Sequence, residues 1–246
     1  MISIKIFDSF DKNLEKIFKD IIKKNKINIF QTEEWIKSNI KIYNNNKYTK
    51  IIFVVYFNEN KPIIFLPLTI KKIYGIKILS WLDSPANDYC GAIIDDNLKI
   101  ENFKFQNIWS EVRSKFKFDV LFLQKINGDY IKEISTIIPY KPQPYQNTYS
   151  LNLKNLNFQN FYFNKNNSKS RETDRRKEKK ISALKVTFQV IKNNIDYLKS
   201  HLKKKEEFYK IKNFKTFNSI KLFQFYDDIF KNHQNGKFEF YYSTLQ

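Results

Sequence analysis

The sequence predicts an α+β protein made of two mixed α/β halves, residues 1–143 and 144–246, with the second half incomplete. Three observations lead to this fold class. Strand-like segments are interleaved with segments that carry a helical apolar stripe. Three of the six prolines, Pro139, Pro142 and Pro144, fall within nine residues and indicate an interdomain linker. Finally, the chain ends on a further strand-like segment, "GKFEFYYSTLQ".

The first half begins with a strand and two helices. "ISIKIF" alternates in the way a strand does. "DKNLEKIFKDIIKKN" places five apolar residues on one helical stripe: Leu14, Ile17, Phe18, Ile21 and Ile22. "IFQTEEWIKSNIKIY" predicts a second helix, with Thr32 as a suitable N-cap and Glu33 and Glu34 at the positive end of the helix dipole.

A β-hairpin and further strands complete the first half. "YTKIIFVVYF" and "PIIFLPLTIKKIY" flank the turn "NENK", and their nearly continuous apolar character predicts that both faces of the hairpin are covered. "IKILSWL" is another strand, and "DSPANDYCGAIID" is a loop that leads to a short strand. "FQNIWSEVRSKF" predicts an amphipathic helix, "FDVLFLQKI" a buried strand and "DYIKEISTII" a helix that ends at Pro139.

The second half repeats this mixture of elements. "TYSLNL" and "KVTFQVI" predict strands, and "LNFQNFYFN" predicts a short helix. Between them, "SKSRETDRRKEKK" predicts a helix that starts with Ser168 as N-cap and continues to about Leu184. Two more helices, "IDYLKSHLKKKEEFYKI" and "SIKLFQFYDDIFKNH", precede the final strand.

The net charge of +19 has two interpretations. A basic chain is typical of proteins that bind nucleic acid or anionic surfaces. The favoured interpretation is a lysine-rich surface that is merely solvated, because the joint bias toward Lys, Asn, Ile, Phe and Tyr is typical of an AT-rich coding genome. The charge is nevertheless concentrated: residues 161–212 contain 16 basic and 6 acidic side chains, a local net of +10.

The four arginines resist the same explanation, because an AT-rich codon bias works against arginine, and three of the four lie within six residues. Arg171 and Arg175 are four apart and share a helix face, while Glu172 and Arg176 can pair on a neighbouring face. No apolar residue follows until Ile181, which is typical of a solvated helix. The alternative is an anion site, because arginine grips phosphate or carboxylate with two parallel hydrogen bonds.

The sequence lacks the residues for disulfides, for metal sites and for glycine-rich phosphate-binding loops. One cysteine, Cys90, excludes an internal disulfide and a cysteine-cluster metal site, fits a reducing compartment and is predicted to be a small buried thiol. His201 and His233 have no acidic or cysteine partner at ligand spacing, so we predict neither a metal site nor a histidine base. The glycines are isolated from one another and form no phosphate-cradling loop: Gly75, Gly91, Gly128 and Gly236.

The sequence also predicts where the protein resides. No apolar run reaches the roughly 18 residues of a membrane span, and "MISIKIFDSFDK" is not a signal peptide. We therefore expect a cytoplasmic protein. Nucleic acid is the less favoured partner, because the aromatic residues lie at core-like spacings and no RRM signature occurs.

Three segments, in order, resemble one branch of the GNAT acyltransferase superfamily. "IFQTEEWIKSNI" resembles its "F-Q-S-x-x-W" opening, and "IIFLPLTIKKIYGIKILSWLDSPANDY" resembles its "PL" strand, next strand and "D-Y" turn. "TYSLNL", "SKSRETDRRKEKK" and "KVTF" resemble its "S-K-x-R-x-x-x-R-R" helix between two strands. The branch contains the CelD-like acetyltransferases and, more distantly, the Fem-type aminoacyl transferases. The resemblance covers roughly residues 25–245.

This resemblance implies two GNAT-like halves, of which only the second carries the site for an acyl donor such as acetyl-CoA. It implies direct attack by an amine or hydroxyl of a sugar or cell-envelope precursor on the thioester, so that positioning and oxyanion stabilisation supply the catalysis. The implied acceptor-binding residues are Arg171, Arg175, Lys37, Asp88 and Tyr89, and the catalytic residues stay unassigned.

The chain departs from the family pattern at its end. GNAT enzymes bind the coenzyme pyrophosphate at a glycine-containing loop after a central strand, and "GKFEFYYSTLQ" resembles the strand before it. We therefore expect a member truncated at its carboxyl end, without the coenzyme loop. Two alternatives stay open: a non-enzymatic basic module that binds nucleic acid or anionic surfaces, and a scaffold that kept the fold without the chemistry.

Overall fold

The computed structural model describes residues 2–98, 108–126, 143, 156–184, 188–212, 217–232 and 241–245. By its internal packing the chain divides into two compact units. Unit 1 comprises residues 1–142 and 199–238, and unit 2 comprises residues 143–198 and 239–246. The division into two GNAT-like halves at residue 143 stays a prediction, as do the helix at 129–138 and the strand at 148–153, which lie outside the described residues.

The mixed α/β fold class is confirmed by the described elements. In chain order these are β1 (Ile2–Phe7), α1 (Lys12–Ile22), a 3₁₀ turn (Ile29–Gln31), α2 (Glu33–Asn39), a π-helical turn (Ile40–Asn44), β2 (Thr49–Asn58), β3 (Lys61–Ile73), β4 (Ile76–Trp81), β5 (Ile93–Ile94), α3 (Ile108–Lys115), β6 (Val120–Phe122), α4 (Phe158–Lys165), α5 (Ser168–Ala183), β7 (Phe188–Lys192), α6 (Ile195–Ile211), α7 (Ser219–Asn232) and β8 (Tyr241–Leu245).

Unit 1 contains a mixed sheet in the order β1-β2-β3-β4-β6, with β5 paired to β3. Every neighbouring pair is antiparallel except β4 and β6, which run parallel with Ile78 opposite Val120. The predicted β2–β3 hairpin is confirmed. Its turn places Glu59 and Asn60 at positive φ, 50° and 71°, the backbone that a tight two-residue hairpin requires.

Both faces of the central hairpin are buried, as its continuous apolar strands predict. On one face Phe53 and Phe65 pack against α1, where the Phe18 and Phe65 rings are 5.0 Å apart. On the other face Val54 and Leu66 belong to the same cluster as Val112 of α3. Side chains alternate across a strand, so one helix layer on each side is what a strand apolar at every position needs.

Two predicted elements of unit 1 differ in the structure. The segment "FDVLFLQKI" was expected to be a buried strand, but only Val120–Phe122 is a strand, and Val120 and Phe122 are 44% and 53% exposed. Val120 and Phe122 point to the same face of this edge strand, whereas Leu121, on the other face, packs against the core cluster. The single helix expected at 29–43 is three pieces. Thr32 is confirmed as the N-cap of α2, its Oγ1 accepting from Trp35 N at 3.4 Å.

Unit 2 contains the arginine-rich helix. α5 begins at Ser168 as predicted, but its N-cap is Asn167, whose Oδ1 accepts from Ser170 N at 2.8 Å. No residue of α5 is buried, which confirms that this helix offers almost nothing to a core. β7 and β8 form an antiparallel pair, with Val190 opposite Ser243, so the final predicted strand is confirmed over residues 241–245.

Candidate functional site

The parallel strands β4 and β6 lead at their carboxyl ends into two loop segments, residues 82–92 and 123–126. Cys90 N donates to the Lys125 carbonyl oxygen at 2.8 Å, and Lys125 Nζ donates to the Ser84 carbonyl oxygen at 3.2 Å. These bonds hold the two segments against each other. Loops at the carboxyl ends of parallel strands are where ligands bind in open α/β sheets, so this edge is the candidate site.

Asn87 is the centre of this site. Its Oδ1 accepts three hydrogen bonds, from Trp35 Nε1 at 3.1 Å, Asn39 Nδ2 at 3.1 Å and Ser84 Oγ at 2.8 Å. Asn87, Trp35 and Asn39 are all at most 4% exposed. Since Trp35 and Asn39 belong to α2, this amide fixes the loop to the helix that covers the sheet edge.

Cys90 is buried beside Asn87, as predicted. Asn87 Nδ2 lies 3.8 Å from its Sγ, and burial, followed by the negative charge of Asp83, raises the pKa of the Cys90 thiol to about 12. The thiol is therefore neutral at physiological pH. A neutral thiol is a poor nucleophile, so the site does not favour a covalent cysteine mechanism.

Helix α7 packs against α2 through one buried carboxylate and an aromatic contact. Asp228, 9% exposed, accepts from Ser38 Oγ at 2.8 Å and pairs with Lys41. The Trp35 ring lies 5.0 Å from the ring of Phe225 in an edge arrangement. The Trp35 ring therefore packs against α7, while its indole N–H donates to the loop that follows β4.

Asp88 and Tyr89, predicted from the "D-Y" turn, lie on the outer side of this loop. Asp88 is exposed, and its charge is the second cause, after burial, of the raised pKa of Tyr226 on α7. Tyr89 is half-buried with its ring 6.1 Å from that of Phe30. Their role in acceptor binding stays a prediction, and the buried neighbour Asn87 makes the loop's structural contacts.

Lys37 lies on the exposed side of α2 and is engaged in ion pairs. Its Nζ is 2.6 Å from Glu33 and 3.0 Å from Glu15, and it lies 5.7 Å from the centroid of the Phe10 ring. Hydrogen bonds from Lys19 and Lys37 lower the pKa of Glu15 to about 2. A ligand would therefore have to compete with two carboxylates for the predicted Lys37 contact.

Arg171, in unit 2, bonds to the end of the preceding helix. Its Nη1 donates to the Phe163 carbonyl at 3.1 Å and to the Asn166 carbonyl, and its guanidinium lies 5.3 Å from the centroid of the Phe163 ring. A cation at the carboxyl end of a helix meets the negative end of its dipole, so Arg171 stabilises α4. Both bonds use Nη1, which leaves Nη2 and Nε without a protein acceptor among the described residues.

The other two arginines of α5 are exposed. Arg176 pairs with Glu172 at 2.5 Å, which confirms the predicted pair. Arg175 has no ion pair among the described side chains, although its charge is near enough to Tyr162 to act against the rise of that pKa. Lys37, Asp88 and Tyr89 belong to unit 1, whereas Arg171 and Arg175 belong to unit 2.

The sequence motifs missed the residues that build the site's interior. Asn87, Ser84 and Asn39 are buried polar side chains that share one hydrogen-bond network. Their only sequence signal is their position: two lie in the polar loop after an apolar strand, and the third lies four residues after Trp35. Asparagine is abundant throughout this chain, so that signal does not distinguish them.

Other kinds of site are absent from the described residues. No group of three His, Cys, Asp or Glu side chains there could hold a metal ion. His201 is exposed on α6, and His233 lies outside the described residues. Within the described part of the chain, no helix is both long and apolar enough to cross a bilayer.

No family model and no curated protein matches the chain. Partial structural similarity is found to GNAT-type acetyltransferases. An aminoglycoside acetyltransferase from an uncultured soil metagenomic sample, in complex with trehalose, has a TM-score of 0.36 at 17% identity over 61% of this chain and 97% of that one. The complex of that acetyltransferase with sisomicin has a TM-score of 0.35 at 15% identity, again over 61% of this chain and 97% of that one. Glucosamine-6-phosphate N-acetyltransferase from Arabidopsis thaliana has a TM-score of 0.35 at 8% identity, over 61% of this chain and 99% of that one. TM-scores this low transfer neither a substrate nor a residue role.

Proposed function

We propose that the chain is a GNAT-like acyltransferase of the CelD-like branch, which transfers an acyl group from acyl-CoA to an amine or hydroxyl of a sugar or cell-envelope precursor. The observation that carries the proposal is the mixed sheet. Its antiparallel run from β1 to β4 turns parallel at β6, and a polar, hydrogen-bonded loop lies at the carboxyl ends of that parallel pair. Of the motifs that resemble the branch, "IFQTEEWIKSNI" lies on the 3₁₀ turn and α2, the "PL" and "D-Y" segments lie on β3, β4 and the loop after β4, and "SKSRETDRRKEKK" lies on α5.

The chemistry we propose is direct transfer. The acceptor nitrogen or oxygen attacks the thioester carbonyl, the carbon–sulfur bond breaks, and the departing thiolate takes up the proton that the acceptor loses. The raised pKa of Cys90 supports this path over an acyl-cysteine intermediate, because the thiol is neutral at physiological pH. Catalysis would then depend on placing the acceptor in line with the thioester.

The described residues do not fit a coenzyme pyrophosphate. A phosphate-cradling loop needs closely spaced glycines, and the described glycines, Gly75 and Gly91, are isolated. We therefore assign no donor contact to the described residues. For the acceptor we propose the free nitrogens of Arg171, together with Arg175, as an anion contact, with Lys37, Asp88 and Tyr89 as further acceptor residues.

The test measures binding and turnover separately. Calorimetry with acetyl-CoA, on this chain and on a version extended past residue 246, is expected to show saturable binding to at least one of them. Release of free CoA thiol in the presence of glucosamine would then demonstrate transfer. Absence of acetyl-CoA binding to both proteins would refute the proposed function.

A second candidate function is a basic module that binds nucleic acid or an anionic surface. It is favoured by α5, which bears seven basic and three acidic side chains and buries none of its residues. Contacts to several phosphates release counterions, so the affinity for DNA, RNA or anionic vesicles should fall steeply as salt rises. A flat salt response would exclude this function.

A further inference from the structure

A small polar cavity lies beside the loop that follows β4. Its volume is about 250 Å³, and it is lined by Tyr43, Asn44, Lys71, Asp83, Ser84, Pro85 and Lys125. At roughly 30 Å³ for each water molecule, this space holds about eight waters. Sites for drug-sized ligands run from about 300 to 1,000 Å³, so this cavity suits a ligand no larger than a single sugar ring.

The charged groups that line the cavity are two ammonium groups around one carboxylate, a net of +1. Lys71 Nζ lies 2.9 Å from Asp83 Oδ1, and Lys125 Nζ lies 3.9 Å from Asp83 Oδ2. A bound anion would meet the Asp83 carboxylate, and a bound cation would meet the two ammonium groups. Hydroxyl groups accept from lysine and donate to carboxylate, so a neutral hydroxyl-bearing ligand can satisfy both.

The Asn44 side chain supplies an acceptor that needs a donor. Asn44 is 2% exposed, and its Nδ2 donates to the Asn39 carbonyl at 3.0 Å. Its Oδ1 accepts no hydrogen bond from any described residue. A buried polar atom without a partner is rare. Because this oxygen is shielded from solvent, a group bound in the cavity reaches it only when the Asn44 side chain rotates, and that group must then donate, which carboxylates and phosphate monoester dianions cannot do.

Lys125 is held in an uncommon backbone conformation at the cavity. Its φ is +60°, in the left-handed region that non-glycine residues seldom adopt. The conformation is fixed from both ends, since its carbonyl accepts from Cys90 N at 2.8 Å and its Nζ donates to the Ser84 carbonyl at 3.2 Å. Such over-determined strain concentrates at ligand sites, and here it places an ammonium group at the cavity wall.

We propose that this cavity binds a small, neutral, hydroxyl-rich molecule of the size of one sugar ring. Ligand hydroxyls would donate to Asp83 and, after rotation of its side chain, to Asn44 Oδ1. They would accept from Lys71 and Lys125, and the half-buried Tyr43 completes the wall. Identifying this ligand with the acyl acceptor rests on the proposed function. The binding site itself does not, because sugar binding without acyl transfer would leave this inference standing and the proposed function refuted.

The test uses the full chain and measures binding alone. Calorimetry and saturation-transfer NMR with glucose, N-acetylglucosamine and myo-inositol are expected to show saturable binding of at least one of them. Lys71→Met should weaken that binding at least fivefold, because it removes a charged donor. The matched control Lys72→Met changes the next residue of β3, which is exposed and points to the opposite side of the strand, and should change the affinity less than twofold.

Tyr43→Phe provides a second variant in case Lys71→Met does not fold, which thermal unfolding will show. It removes one hydroxyl and should weaken binding at least twofold. Inorganic phosphate and methylammonium serve as the opposing probes. The proposal is overturned if none of the three neutral probes binds, if Lys71→Met and Lys72→Met bind alike, or if either ion binds more tightly than every neutral probe.

Discussion

Replacing Asn87 with Ala removes the one acceptor shared by three donors. Trp35 Nε1, Asn39 Nδ2 and Ser84 Oγ would all lose their partner at once. A buried donor left unpaired costs about 1–3 kcal/mol, so the unrelaxed sum is about 3–9 kcal/mol. Side-chain shifts and water entering the new space relieve part of that cost. We expect a loss of about 3–5 kcal/mol in the free energy of unfolding, a large share of the ~5–15 kcal/mol typical of a domain.

Urea unfolding followed by tryptophan fluorescence measures this loss, because Trp35 itself lies in the network. The matched control is Asn45→Ala, which changes an exposed asparagine without a side-chain hydrogen bond among the described residues, and it should lie within about 0.5 kcal/mol of the parent. A loss below about 1 kcal/mol for Asn87→Ala would refute the view that this amide holds the loop to α2.

Three further predictions concern the ion-paired and buried groups. The pKa of Glu15 is lowered from 4.5 to about 2, so its ion pairs should stabilise the fold fully above pH 4.5 and lose this contribution as pH falls from 4.5 toward 2. An NMR titration of Glu15 should show this low midpoint, and Lys37→Met should raise the midpoint. An unchanged midpoint in that variant would contradict the pairing. Cys90 should react with Ellman's reagent at pH 8 at least 100-fold more slowly in the folded protein than in urea, because its pKa is about 12 and the thiol is buried; equal rates would contradict this. Arg171→Ala should increase amide hydrogen exchange in the last turn of α4, whereas the control Arg176→Ala should not, because only Arg171 donates to the carbonyls there. Equal exchange in the two variants would exclude that capping role.

The acceptor-binding residues show where inference from the sequence is limited. The pair between Glu172 and Arg176 follows from helical spacing alone and is present. The bonds from Arg171 to the end of α4 do not follow from spacing, because they depend on the angle at which the chain turns between two helices. For Lys37, the pair with Glu33 follows from their spacing of four, whereas the pair with Glu15 does not, because Glu15 lies on another helix.

By itself, the sequence determined the elements whose cause is local or periodic. The continuous apolar strands of the β2–β3 hairpin must be covered on both faces, and the first turns of α5, which contain no apolar residue, predict a solvent-exposed helix. Only the tertiary structure decided the site's interior: Asn87 as a shared acceptor, Lys125 at positive φ, and Asn44, whose side-chain oxygen has no partner among the described residues. Trp35 and Asn87 lie 52 residues apart, and their hydrogen bond depends on how helix α2 and the loop after β4 pack at one edge of the sheet. No periodic pattern in the sequence predicts such packing.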